Sequence, residues 1–511
     1  MRSTKVTIES MRNAATETGT TRRSRAPGPL RLRTALGAAC CAAALLLAVA
    51  CTKTDSPFAA LTPRVIAAPA KDPTTTERQD RVPTRRVDDR IAAAFTPPLP
   101  SPRQKPAEPK AERFLPVLVG ILKPETFTPP GSIGEEPPAE LRAPDRDNPL
   151  GRFYAKLAAL EAGSRSEPVT ILHIGDSHVA ADSFTRGIRS RLQDRFGDAG
   201  RGMVVPAGVF RQTTAAQVDM SQRGSWSAAS SLKEKTGPYG LSGVRLSASS
   251  PDAVITLTAQ SGAFDWAEVT VAGGSGSFEI SVDGRASRHS AAGGEAATTV
   301  RVAQKGKVLK IRPAGNGRVT VLNWATGKER PGIRYVNFGI VGATVDVTRR
   351  WSPDIVANDL AALKPDLIVY GYGTNEGFND NLDPKAYKAY AEKFVGSLRS
   401  AAPQADLLFI GAADGARKGR GKGCGGAWAT PAKLDSVRGA VRDVATDVGG
   451  GYWSWAEAMG GRCAIDRWAS DGLAAKDRVH LTSAGYDRSA DAFVDFLVAP
   501  LDKPTPVAMT R

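Results

Sequence analysis

Histidine is scarce in this chain of 511 residues, which holds only four, so chemistry that needs an imidazole has few places to sit. Cysteine is nearly as rare: three of the five, Cys40, Cys41 and Cys51, crowd one N-terminal segment. No Cys/His group has metal-ligand spacing, so neither a metal nor a cofactor is expected. A full-length spanning helix is also lacking. The longest apolar stretch, residues 35–50, falls short of the ~20 residues a bilayer requires, although Leu30 and Leu32 extend it. Lys and Arg outnumber Asp and Glu for a net charge of +16, yet no nucleic-acid module carries them, and no nucleic-acid partner is expected. Residues 1–112 contain 19 basic against 10 acidic side chains, which leaves 49 against 42 in the body. That mild excess suits an anionic envelope polymer or membrane face, or simply a solvated surface.

The apolar stretch follows Arg22, Arg23, Arg25, Arg31 and Arg33 and runs straight into Cys51. Basic residues before an apolar core form an export signal or an anchor, with the positive side kept in the cytoplasm. Ala48-Val49-Ala50-Cys51 is similar to a bacterial lipobox, except that Ala48 stands where Leu is usual. A cleaved signal, a lipidated Cys51 and an uncleaved anchor all leave the body exported and periplasmic, the last two with a membrane tether through the N-terminus. An oxidising compartment then makes Cys424 and Cys463, the two Cys of the body, candidates for one disulfide, with two free buried thiols as the alternative.

The chemistry gathers in two patches. The β-run Val169-Thr-Ile-Leu-His-Ile-Gly175 delivers Ser177, within Ile174-Gly175-Asp176-Ser177-His178, to the carboxyl edge of a sheet, where open α/β folds bind ligands. A Ser hydroxyl needs a base to become a nucleophile, and a neutral imidazole has nearly the right pKa. Asp477-Arg478-Val479-His480 supplies that base, together with a carboxylate three residues earlier that can reach its other ring nitrogen and fix its tautomer. The Gly-x-Ser-x-Gly elbow is absent around Ser177, which disfavours the α/β-hydrolase class.

Four ordered blocks extend this pattern: Gly175-Asp176-Ser177-His178, Asn337-Phe-Gly-Ile-Val-Gly342-Ala-Thr344, Gly373-Thr374-Asn375-Glu376 and Asp477-Arg-Val-His480. They resemble the blocks of the SGNH/GDSL hydrolases. The resemblance implies a flavodoxin-like α/β/α three-layer fold with a parallel sheet. It also implies a Ser177, Asp477, His480 triad, and an oxyanion hole from the Ser177 N–H, the Gly342 N–H and the Asn375 side chain, with Gly339 as the fallback for Gly342. His178 stands where the family usually has Leu, and Glu376 where it has Asp; neither is expected to touch a catalytic position. Asp176 is expected to shape the turn, and His173 and His178 to be structural.

After Cys51 a Pro-rich stretch over 52–112 reads as a mobile spacer. An apolar segment follows at 114–122. Helices are predicted over 153–162 and 181–196. From about 212 to 334 the periodicity changes to short β-runs separated by Gly, Asp and Ser, which indicates an all-β sandwich. Strands alternating with helices resume to the end, closing on a helix over 481–497 with Thr482 or Ser483 as N-cap. The hydrolase domain is thus split, over 113–211 and 335–503, around an insert at 212–334, with a tail at 504–511. This arrangement resembles bacterial peptidoglycan O-acetylesterases with a carbohydrate-binding-module-like insert. Trp226, Tyr239, Trp266 and Trp324 are candidates to stack on sugar rings, although sandwich core is the commoner use.

These readings lead to an exported serine esterase that removes O-acetyl groups from an envelope polysaccharide, peptidoglycan first. A glycan O-acetyltransferase using the same triad is the alternative. A non-catalytic glycan-binding protein is the reading from another class.

Overall fold

The structure, a computed structural model, describes residues 148–502 apart from 208, 210–214, 420–423, 425 and 426. The expected signal or anchor, the Pro-rich spacer, the apolar segment at 114–122 and the tail lie outside those residues. The described chain opens with α1 (Gly151–Glu161), β1 (Pro168–Gly175), the single turn α2 (Ser177–Ala180) and α3 (Ser183–Phe196). Eleven short strands follow: β2 (Gly202–Val204), β3 (Val218–Arg223), β4 (Ser227–Ser230), β5 (Val244–Ala248), β6 (Val254–Ala259), β7 (Trp266–Val271), β8 (Phe278–Val282), β9 (Arg285–His289), β10 (Thr298–Val302), β11 (Val308–Pro313) and β12 (Val319–Gly327). The α/β rhythm returns with β13 (Gly332–Gly339), a 3-10 turn at Val345–Arg350, α4 (Pro353–Leu363), β14 (Leu367–Gly371), α5 (Thr374–Gly377), α6 (Pro384–Ala401) and β15 (Asp406–Gly411). The hairpin β16 (Arg417–Lys418) and β17 (Trp428–Ala429), α7 (Leu434–Asp447), β18 (Gly451–Ser454), α8 (Trp455–Ala458), α9 (Ala464–Ser470) and α10 (Ser483–Val498) complete it.

Five strands form a parallel sheet in the order β13-β1-β14-β15-β18. The chain starts inside the sheet at β1, steps to the edge strand β13, then crosses back to β14. That reversal opens a crevice at the carboxyl ends of β1, β13 and β14. Strands covered on both faces need apolar residues throughout, and β1 is buried from Val169 to Gly175. Leu172, Ile174, Val336 and Phe338 point to one face, where α4, α6 and α7 pack. Val169, Ile171, Ile333 and Tyr335 point to the other, against α1, α3 and α10. This is the expected flavodoxin-like three-layer α/β/α arrangement.

The inserted strands build two antiparallel sheets, β10-β7-β12-β5-β4 with β2 joined to β12, and β3-β6-β11-β8-β9. Alternating residues such as Ile255, Leu257, Leu309 and Ile311 fill the space between them with Val269, Val271 and Trp324. The insert draws in Gly202–Val204, well before position 212, and β13 begins at Gly332, before position 335. Its Tyr239, Leu241, Val244 and Trp266 share one core with the hydrolase strands and α4, so the two parts are packed together. Tyr239 and Trp266 are buried in that shared core, and Trp324 in the core between the two insert sheets. Arg301 and Arg334 cover the Trp266 ring at 3.9 and 5.1 Å. Of the four aromatic candidates only Trp226 retains partial exposure.

Candidate active site

Three glycines end three neighbouring parallel strands in register: Gly175 lies opposite Gly339 on one side and Gly371 on the other. A Cβ on Gly339 would stand 2.3 Å from the Ala180 nitrogen and 2.5 Å from the Asp176 carbonyl oxygen; one on Gly175 would stand 2.6 Å from the Gly371 oxygen. Side chains here would lift α2 off the sheet. Their absence lets the turn that begins with Ser177 settle on the sheet edge. Asp176 caps that turn, its carboxylate accepting the His178 N–H at 3.0 Å. Burial raises the Asp176 pKa to about 6 against the pull of the His178 N–H, Thr374 and His480.

The opposite wall comes from the loop before α10. Asp477 Oδ1 accepts the N–H groups of Val479 and His480, both at 3.0 Å, and Oδ2 meets His480 Nδ1 at 2.7 Å. Burial acts to raise the Asp477 pKa, but the bonds from the His480 ring and the two N–H groups outweigh it and bring the pKa to about 2. An ionised carboxylate only accepts, so His480 carries its proton on Nδ1 and presents the Nε2 lone pair outward. That lone pair meets Ser177 Oγ at 2.9 Å, across 303 residues of sequence. Ser177 is only 7% exposed, whereas the His480 and Asp477 side chains are 28% and 29% exposed, so the site opens on the side of the base.

Block two reaches the site as a tight turn. The Ala343 N–H donates to the Ile340 carbonyl at 3.0 Å, and Gly342 occupies the third position at φ +78°, where a side chain would be strained. No heavy atom lies within 4 Å of where its Cβ would be, so the Gly342 backbone is open. Gly339 instead lies in β13 and is packed beneath α2, which favours Gly342 over Gly339 as the open backbone. Asn375 Nδ2 donates to the Ala343 carbonyl at 2.8 Å, and Glu376 Oε1 accepts the Val345 N–H at 2.7 Å. Consecutive block-three side chains therefore hold the C-terminal side of the block-two turn.

The structure brings together the Ser177, Asp477 and His480 side chains, and it joins Cys424 to Cys463 by a disulfide. His178 lies beside the triad, its ring centroid 5.4 Å from that of His480. It is buried, with Nδ1 at 2.9 Å from Tyr486 Oη, and its pKa is depressed to about 3 by burial. His173 is buried too, on Tyr335 Oη at 2.8 Å. Sequence reasoning also missed a polar group behind α2. Asn337 donates to the Val179 carbonyl at 3.0 Å and accepts from Arg201 at 2.7 Å, while Asp182 accepts from Arg189 at 2.7 Å and from the Ala216 N–H at 2.7 Å. The signal for it was Asn337, a polar residue in a strand that is buried along most of its length. Among the described residues, no group of three or more His, Cys, Asp or Glu is arranged to hold a metal ion.

The sequence model of the GDSL-like lipase/acylhydrolase family matches residues 314–488, a range that includes Gly342, Asn375, Asp477 and His480. A solved structure described as a peptidoglycan O-acetylesterase in action matches at 32% identity with a TM-score of 0.61, covering 68% of this chain and 95% of that one. An acetyl xylan esterase matches at 15% identity and TM-score 0.26, over 33% of this chain and 81% of that one. A family two carbohydrate esterase from Clostridium thermocellum matches at 13% identity and TM-score 0.24, over 50% and 94%. The last two likenesses are too loose to support anything further. No curated protein matches the sequence. Fold and family together define a hydrolase of ester bonds. The chain belongs to the GDSL/SGNH hydrolase family.

Proposed function

We propose that this protein is an exported esterase that removes O-acetyl groups from a cell-envelope glycan, peptidoglycan first, with Ser177, His480 and Asp477 as its triad. The observation that carries the reading is the continuous chain of contacts from Asp477 Oδ2 through the His480 ring to Ser177 Oγ. Ser177 Oγ attacks the ester carbonyl carbon while its proton passes to His480 Nε2, and Asp477 stabilises the imidazolium so formed. Negative charge developing on the carbonyl oxygen is met by the N–H groups of Ser177 and Gly342 and by the second N–H of Asn375, the first being engaged with Ala343. His480 returns the proton to the departing sugar alcohol. A water, deprotonated by His480, then attacks the acetyl-enzyme, releases acetate and restores Ser177.

The substrate class rests on the peptidoglycan O-acetylesterase that covers two thirds of this chain at 32% identity. Export rests on the arginine-flanked apolar segment and on the Cys424–Cys463 bridge, which suits an oxidising compartment. Acetate release from O-acetylated peptidoglycan, measured beside a soluble acetyl ester for wild type and Ser177→Ala, tests the reading. Turnover that survives in Ser177→Ala refutes the nucleophile. Acetyl appearing on an added glycan acceptor in place of free acetate converts the esterase into a transferase.

A further inference from the structure

The nucleophile and its base lie on segments 303 residues apart, so something must fix how the two segments meet. Beside the catalytic contact lies a second, buried one between the same two segments. His178, the residue after Ser177, has Nδ1 at 2.9 Å from the hydroxyl of Tyr486, six residues beyond His480 and in the first turns of α10. A neutral imidazole and a phenol hydroxyl are each both donor and acceptor, so His178 and Tyr486 can share this bond in either direction, set by the ring tautomer. The His178 ring then packs against two neighbours, 5.4 Å from His480 and 5.1 Å from Trp455, which is itself held by Ser489 of α10 through Nε1 at 2.9 Å. His178 is thereby fixed to α10 on one edge and lies against the catalytic imidazole on another.

We propose that His178 and Tyr486 are a positioning pair that sets the Ser177 to His480 geometry by locking α2 to the start of α10. His178 packs against the His480 ring and Tyr486 holds His178, so the pair acts through the base and not on the ester. A buried hydrogen bond between segments without covalent linkage resists sliding in a way that an apolar contact does not. A shift of about 1 Å between nucleophile and base is enough to cost roughly a hundredfold in rate. The inference rests on the triad reading above.

Tyr486→Phe removes a single oxygen, and His178→Leu removes both ring nitrogens. Each is expected to lower kcat for a soluble acetyl ester by about five- to twentyfold with KM within about twofold, because positioning acts on the chemical step. The double variant is expected to lose no more than the worse single variant, the mark of two residues acting through one bond. His178→Asn, which keeps an acceptor near the Nδ1 place, is expected to recover most of the lost kcat; a purely space-filling role for the ring predicts no such recovery. Wild-type kcat in Tyr486→Phe, losses that multiply in the double variant, or an effect confined to KM overturns the pair. Should His178→Leu fail to fold, the rate of covalent labelling of Ser177 by an organophosphonate, compared between wild type and Tyr486→Phe, decides the question: a slowed rate supports the pair and an equal rate overturns it. Ser177→Ala in the same assay separates the two levels. Residual turnover there refutes the triad, whereas an inactive Ser177→Ala beside a normal Tyr486→Phe refutes only the positioning pair.

Discussion

The Asn375 side chain donates to the Ala343 carbonyl at 2.8 Å, and in doing so anchors the turn that carries Gly342. In the proposed mechanism one side chain thus serves twice, as a donor toward the developing oxyanion and as the anchor of a second donor. Asn375→Ala is expected to lower kcat by about 100- to 1,000-fold with little change in KM, since loss of a single oxyanion donor alone has that effect. Steady-state kinetics with a soluble ester check it; a loss expressed mainly in KM would assign Asn375 to substrate binding instead.

Glu376 gives a pH-dependent stability with a definite sign. Burial raises its pKa to about 8 from an ordinary 4.5, so the folded chain binds a proton that the unfolded chain releases between those values. Stability is therefore lost progressively as pH rises from about 4.5 to 8. Glu376→Gln keeps a carbonyl oxygen for the Val345 N–H and cannot ionise. Its denaturant midpoint is expected to match wild type near pH 5 and to exceed it near pH 8.5.

Much of this was legible before any coordinates. An apolar run ending in Gly-Asp-Ser announces a strand that delivers a side chain at a sheet edge, and β-runs at short spacing announce the insert. What stayed hidden depended on three-dimensional neighbours. The register of Gly175, Gly339 and Gly371 requires knowing which strands pair, and the meeting of His178 with Tyr486 requires the crossing of α2 by α10. Tyr239, Trp266 and Trp324 are candidates for sugar platforms in the sequence, although core is the commoner use. The packing of the insert against α4 and β13 decides for core in Tyr239 and Trp266, and the packing of its own two sheets decides it for Trp324.

Asp477→Asn is expected to reduce kcat by roughly 10⁴-fold. An amide N–H aimed at Nδ1 makes that nitrogen the acceptor, moves the ring proton to Nε2 and leaves Ser177 facing a donor. Asp477 has a second, acid-side signature. Its folded pKa of about 2 lies below the ordinary 3.8, so its contribution to stability is present above pH 3.8 and is lost as pH falls through 2. Comparing acid unfolding of wild type and Asp477→Asn should show the variant lacking that component.

The buried pair of Arg189 and Asp182 carries α3 and the approach to the insert. Both side chains are 1% exposed. Burial opposes the charge on Asp182, yet Arg189 and Arg201 together hold its pKa below the ordinary value. Removing Arg189 leaves buried Asp182 with Arg201, 3.9 Å away, as its remaining charged partner, so Arg189→Met is expected to cost about 3 kcal/mol in chemical denaturation. Asp182 sits at φ +51°, which Asn tolerates. The double variant Asp182→Asn with Arg189→Met is expected to lose less than Arg189→Met alone.

The Cys424–Cys463 bridge closes a loop of 39 residues, and loop closure of that length accounts for about 4 kcal/mol at most in the chain-entropy account. Its position matters more than its loop. Cys463 is the N-cap of α9, which carries Asp466, and Cys424 lies in the hairpin that ends in Trp428. Both elements grip Arg478: Asp466 pairs with its guanidinium at 2.5 Å, and the guanidinium lies 4.7 Å from the Trp428 ring. Arg478 stands between Asp477 and His480 at φ +54°, so slack in either element passes into the loop that aims the base. Reductant is therefore expected to lower both the thermal midpoint and kcat of wild type. A Cys424→Ser, Cys463→Ser variant should start from those lowered values and show no further response to reductant. Equal kcat in oxidised and reduced enzyme would mean that the bridge stabilises the fold without aligning the base.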